Sequence, residues 1–157
     1  MPRDSAERLV AQNRRARHDY VILETFEAGL VLSGTEVKSL RAGKASLAES
    51  YATVEDGEVV VRRMHIPPYE QGNRWNLDPV RPRKLLLHRR EIAALAAAVE
   101  RKGQTIVPLR LYFKHGYAKL LIGVAKGKPS HDKRHAIAEK DAKREMARAR
   151  RGEERGR

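Results

Sequence analysis

Thr105-Ile-Val-Pro-Leu-Arg-Leu-Tyr-Phe-Lys114 and Tyr117-Ala-Lys-Leu-Leu-Ile-Gly-Val124 stand on either side of His115-Gly116. Both runs are rich in β-branched and aromatic residues, and the dipeptide between them suits the two φ > 0 positions of a type I′ turn. The pattern predicts a hairpin. Pro108 has no N–H to give to a ladder, so it requires an edge or a bulge in the first strand. A second hairpin obeys the same rule upstream, where residues 50–55 and 58–64 flank Asp56-Gly57. Between the hairpins, Ile92, Leu95, Ala96 and Val99 repeat at helical spacing and predict a helix over 89–102, ended at Gly103.

Tyr20-Val-Ile-Leu-Glu-Thr-Phe26 reads as a third long strand. Ala28-Gly29 then permits a bulge or sharp turn before Leu30-Val-Leu32. Thr35 is placed to cap a short helix over 36–42, which Gly43 ends. Val37 and Leu40 would face its core side, and Lys38 and Arg41 a neighbouring stripe in solvent. Near the start, Asp4 and Glu7 fit the opening of another helix, with Leu9 and Val10 as its apolar face. Residues 67–84 read as a connector holding four prolines (67, 68, 79 and 82) and Trp75. Short strands in antiparallel hairpins with few helices specify a mainly β fold: a small, six-stranded, OB-like antiparallel barrel with accessory helices.

Apolar side chains divide the 157 residues unevenly. Residues 1–125 hold 34 of the 35 Leu, Ile, Val and Phe, and residues 126–157 hold Ile137 alone. The first segment can bury a core and reads as the barrel domain. The second, a basic C-terminal tail, cannot; its Ala, Glu, Lys and Arg content predicts a chain disordered when free and helical on a partner. Both segments are cationic. The tail carries 12 basic and 6 acidic groups and the body 21 and 14, within a total of +13. Such an excess points to a polyanion, with nucleic acid ahead of membrane, because the tail lacks a broad apolar face bearing Trp or Phe. The longest apolar run, 92–99, is too short to span a bilayer, and the N-terminus has no secretory hydrophobic segment. With no cysteine there is no disulfide or thiol nucleophile, and a cytoplasmic setting fits.

Catalytic patterns do not assemble. Gly123-Val-Ala-Lys-Gly127-Lys128-Pro129 has one residue too few for a phosphate loop and places Pro where a magnesium-binding hydroxyl belongs. It reads instead as a flexible basic hinge. His131 and His135 share a helical spacing but have no third metal ligand, and no serine sits in a Gly-x-Ser-x-Gly setting. No metal or cofactor is expected. The cations do group: Arg14, Arg15 and Arg17; Lys38, Arg41 and Lys44; Arg81, Arg83 and Lys84; Lys126 and Lys128. Each group lies at an element end or in a loop, where side chains can converge on a nucleic-acid backbone. Tyr20, Phe26, Tyr112 and Phe113 read as core, leaving His18 and Trp75 as base-stacking candidates.

Asn13-Arg-Arg-Ala-Arg-His-Asp-Tyr20, Phe26-Glu-Ala-Gly29, Gly34-Thr-Glu-Val-Lys-Ser-Leu-Arg-Ala-Gly-Lys44, Arg83-Lys-Leu-Leu-Leu87, Ile122-Gly-Val-Ala-Lys-Gly-Lys128 and His131-Asp-Lys-Arg134 follow one another in the order seen in one family. The chain resembles the tmRNA-binding SmpB (SsrA-binding protein) family across about residues 13–134. The resemblance implies a non-enzymatic, monomeric adaptor of trans-translation. Its barrel would bind the tRNA-like domain of tmRNA and help deliver alanylated tmRNA, with elongation factor Tu, to the A site of a stalled ribosome. By position it implies RNA contacts at Asn13, Arg14, His18, Glu27, Lys38, Arg41, Lys44, Leu86 and His88, the last standing where some members have Asn. The groupings add Arg15, Arg83, Lys84, Lys126 and Lys128. In the tail, His131, Asp132, Lys133 and Arg134 match a motif that meets the decoding centre, on small-subunit ribosomal RNA, from the empty mRNA channel. Two other classes fit parts of the pattern: an integral or assembly-associated ribosomal protein, and an RNA-modifying enzyme. The second would need a site the sequence does not offer.

Overall fold

A computed structural model describes residues 7–69 and 77–128. The elements in chain order are β1 (Glu7–Gln12), α1 (Ala16–Asp19), β2 (Tyr20–Leu30), α2 (Gly34–Arg41), β3 (Tyr51–Glu55), β4 (Glu58–Arg62), β5 (Arg83–Leu86), α3 (Arg89–Val99), β6 (Gln104–Lys114) and β7 (Tyr117–Gly127). The fold is mainly β. Six strands pair antiparallel in the ring β6-β3-β4-β5-β2-β7, which the β6–β7 hairpin closes. β1 is a seventh strand; it shares one edge of β6 with β3.

Both predicted hairpins form, and their turns show why. Asp56 and Gly57 have φ of +50° and +75°, and His115 and Gly116 have +52° and +80°. These are the left-handed values a type I′ turn demands. Pro108 does bring a bulge: its neighbour Leu109 is the extra residue between the Pro108–Ile122 and Arg110–Leu121 pairs. The core fills the barrel with Ala28, Val59, Val61, Leu85, Ile106, Leu111, Leu120 and Ile122. Leu40 of α2 and Leu95 of α3 are buried in the same cluster, as their spacing predicts.

Several expectations are corrected. Residues 7–12 form strand, not helix, because β6 offers them a ladder from Lys114 to Arg110, whose bonds outweigh local helical preference. β2 runs unbroken through Ala28-Gly29, and its bulge lies earlier, at Leu23. Ser33, not Thr35, caps α2: its hydroxyl accepts from the Glu36 amide (3.3 Å) and the Glu36 carboxylate accepts from the Ser33 N–H (2.9 Å), a capping box. α3 ends at Val99, and Gly103 (φ +80°) turns the chain into β6. Gly123 is no hinge. It pairs with Thr25 and Val107 inside β7, where a Cβ would lie 3.0 Å from Ile22 and 3.1 Å from Leu109. β7 carries the chain to Gly127, so Lys126 belongs to a strand. Lys126 and Gly127, read as the start of the tail, are thus strand; the tail expectations beyond Lys128, and those for Trp75, His131 and His135, fall outside the described residues.

Candidate nucleic-acid interface

Bulges decide what the outside of the barrel displays. Strict alternation from Ile106 would point Arg110 and Tyr112 into the core. The extra residue Leu109 reverses the phase, so Leu111 and Phe113 turn inward while Arg110, Tyr112 and Lys114 turn outward. The β2 bulge does the same for Glu27, which pairs with Leu121 outside the barrel. Tyr112, read as core from sequence, is thus an outer-face residue, covered by its neighbours and not by the barrel interior.

Ladder register brings distant segments side by side. Leu86 of β5 pairs with Gly29 of β2, Gly29 with Lys119 of β7, Lys119 with Tyr112 of β6, and Tyr112 with Leu9 of β1. Glu27 lies one outward position along from Gly29. Leu86 is 55% exposed, an apolar ledge beside a glycine that adds no side chain to the face. A Cβ at Gly29 would sit 3.3 Å from that of Leu86. The Glu27 carboxylate accepts from the Tyr112 hydroxyl (2.5 Å) and from Lys114 Nζ (3.4 Å) through Oε2. The Tyr112 hydrogen bond, with the Lys114 and Lys119 charges, holds this carboxyl below its ordinary range against an opposing effect of burial. Burial, then the Glu27 bond, pushes the Tyr112 phenol up, so it stays a donor. Arg110 stacks over the Tyr112 ring at 5.5 Å. Sequence reasoning missed Tyr112, Arg110, Lys114 and Lys119; the bulge that Pro108 requires is the signal that could have revealed the first three.

Leu86 and Glu27 therefore meet on one face. His88 follows just beyond β5 as the N-cap of α3, where its N–H donates to the Glu91 carboxylate (2.9 Å). Lys84 points outward from β5 and pairs with Glu58 (3.0 Å).

The α2 cations form a second set. Lys38, Arg41 and Lys44 are all exposed. Lys38 lies over Tyr69 (5.6 Å) and Arg41 over Phe113 (5.7 Å), while Arg8 of β1 donates to the Arg41 carbonyl (2.6 Å). Arg83 does not join them. Its side chain has no exposure, and it donates to Glu36 Oε2 (2.6 Å), the Met64 carbonyl (2.6 Å) and the Pro79 carbonyl (3.0 Å). Glu36 also takes two bonds from Arg81 and one from the Ser33 amide. Arg83, read as part of the cationic surface, is instead buried and locks α2 to β5 and to the connector.

A third set surrounds α1, seven residues along β2 from Glu27, about 20 Å at strand rise. Arg14 and Arg15 are exposed, and His18, also exposed, pairs through Nδ1 with Asp19 (3.0 Å). Lys126 joins them by pairing with Val21. Asn13 is committed to the fold: its amide side chain donates to the Pro108 carbonyl (3.0 Å) and its backbone N–H to the Leu109 carbonyl (2.8 Å), pinning the β6 bulge. Lys128 follows the end of β7, and the decoding-centre candidates His131, Asp132, Lys133 and Arg134 lie outside the described residues. Among the described residues no group of three His, Cys, Asp or Glu could hold a metal ion, and no helix is long and apolar enough to cross a membrane.

The chain is similar to known proteins over most of its length. The family model described as SmpB protein matches residues 10–152. An SsrA-binding protein of Anoxybacillus flavithermus is 61% identical over 142 residues, covering 90% of this chain and 92% of its own. One from Bacillus cereus is 57% identical over 149 residues, covering 95% and 96%. A solved structure, "tmRNA-SmpB: a journey to the center of the bacterial ribosome", superposes with a TM-score of 0.65 at 57% identity, over 76% of this chain and 84% of that one. The chain belongs to the SmpB family.

Proposed function

We propose that the chain is an RNA adaptor that binds the tRNA-like domain of tmRNA and supports trans-translation on stalled ribosomes. The observation that carries this reading is the meeting of Glu27 and Leu86 on one outer face, beside Gly29 and Lys119. An ionised carboxylate repels phosphate, so at an RNA interface it serves to accept from base or ribose donors. The α2 and α1 cations supply the phosphate contacts that hold the RNA in register.

In the same reading, alanylated tmRNA reaches the A site with elongation factor Tu, and the tail occupies the vacant mRNA channel. There His131, Asp132, Lys133 and Arg134 approach the decoding centre. The protein works in the cytoplasm as a monomer and catalyses nothing itself. A chain ended after Gly127 keeps every β7 ladder pair, which makes it a usable test. It should hold the tRNA-like domain with nearly full affinity in a gel shift and fail to support peptide tagging on stalled ribosomes. Normal tagging by that chain would overturn the division of labour.

A further inference from the structure

Tyr112 and Lys114 both reach the same oxygen of Glu27, Oε2. The other oxygen, Oε1, has no hydrogen bond among the described residues. We infer that Tyr112 is a positioning residue: with Lys114 it fixes one Glu27 oxygen so that the other is presented to a hydrogen-bond donor of the bound RNA. The inference rests on the RNA-binding reading above and adds the chemistry that this site takes.

The geometry limits the partner. An ionised carboxylate only accepts, so its RNA partner is a base amino or imino N–H or a ribose 2′-hydroxyl. Lys114 from β6 and Lys119 from β7 are the cations facing Glu27, and Glu7 and Arg110 act on Tyr112 from β1 and β6. Lys114 alone would steer the carboxylate loosely, at 3.4 Å and from a flexible stem. The Tyr112 hydroxyl, on a ring held under Arg110, gives it one direction. Leu86 packs over Gly29 and is 55% exposed beside it, an apolar ledge on which a base or sugar can rest.

Tyr112→Phe keeps the ring and removes the hydroxyl. Its affinity for a transcript of the tRNA-like domain should fall about 5- to 10-fold, the worth of one well-placed hydrogen bond. Glu27→Ala should bind more weakly still, and the double variant no worse than Glu27→Ala. The Glu27 carboxyl, followed by carbon NMR in the free full-length protein, should titrate at higher pH in Tyr112→Phe; a Tyr112 that merely filled space would not move it. Nucleotide-analogue interference separates the two donor sources: inosine removes the guanine amino group and 2′-deoxy substitution the ribose hydroxyl. One such site should interfere with binding to the wild-type protein and lose its effect with Glu27→Ala. Wild-type affinity for Tyr112→Phe, losses that multiply in the double variant, or an interference pattern that Glu27→Ala leaves unchanged would overturn the inference and leave the RNA-binding reading standing. Unchanged affinity for Glu27→Ala would overturn that reading itself.

Discussion

Replacing Glu36 with Ala removes the acceptor for four hydrogen bonds: two from Arg81, one from Arg83 and one from the Ser33 amide. Arg81 has 28% of its side chain exposed and can turn to water; Arg83 has none and cannot without unseating β5. Its guanidinium would keep two carbonyls but lose its counter-charge. Breaking a buried pair in this way costs about 3–5 kcal/mol, against a total domain stability of about 5–15 kcal/mol. At about 3 °C per kcal/mol for a chain of this length, Tm should drop by about 9–15 °C. Urea denaturation followed by far-UV circular dichroism measures the loss. The Glu36→Ala/Arg83→Met double variant should lose less than the two single losses together, because the stranded charge leaves with Arg83. Acid adds a second check. Burial pushes the Glu36 carboxyl up, but the bonds from Arg81, the Ser33 amide and Arg83 outweigh it and hold the group below its ordinary 4.5. Its contribution is therefore present above about pH 4.5 and is lost as pH falls through the lower folded-state value. Wild type should weaken across that acid range more steeply than Glu36→Ala. A loss under about 1 kcal/mol, or strict additivity in the double variant, would refute the reasoning.

Three further outcomes are expected. Ser33→Ala should cost about 1 kcal/mol in urea denaturation and Thr35→Ala less than half of that, since Ser33 is the α2 cap. Asn13→Ala should cost about 1–2 kcal/mol by leaving the Pro108 carbonyl without its side-chain donor; a neutral result would mean that the bulge holds without it. Lys44→Gln should reduce the slope of log affinity against log salt by about 0.7–0.9 if it meets one phosphate, and an unchanged slope would remove Lys44 from the interface.

What the sequence reveals follows the range of the interactions involved. Both hairpins were legible because Asp56-Gly57 and His115-Gly116 meet a local backbone demand. The bulge beside Pro108 was legible for a related reason, since a missing N–H disturbs any ladder. Strand β1 was not, because Glu-Arg-Leu-Val-Ala-Gln carries no strand signal of its own and is drafted by the free edge of β6. Arg83 looked like part of a basic surface run, and its burial depends on Glu36, far away in the chain. Glu27 and Leu86 entered through motifs, and only the register shows that they are neighbours across β2 and β5. Tyr112 was hidden by a phase change that a period-2 count does not see.

The most direct measurement of the central claim is equilibrium binding of the full chain to labelled tRNA-like domain, competed with bulk transfer RNA at one fixed salt concentration. Recognition by a shaped face carrying Glu27 and Leu86 predicts that the labelled RNA stays bound in large excess of competitor, and that Glu27→Ala loses this preference. Equal competition by bulk transfer RNA would contradict it, leaving an unselective cationic barrel.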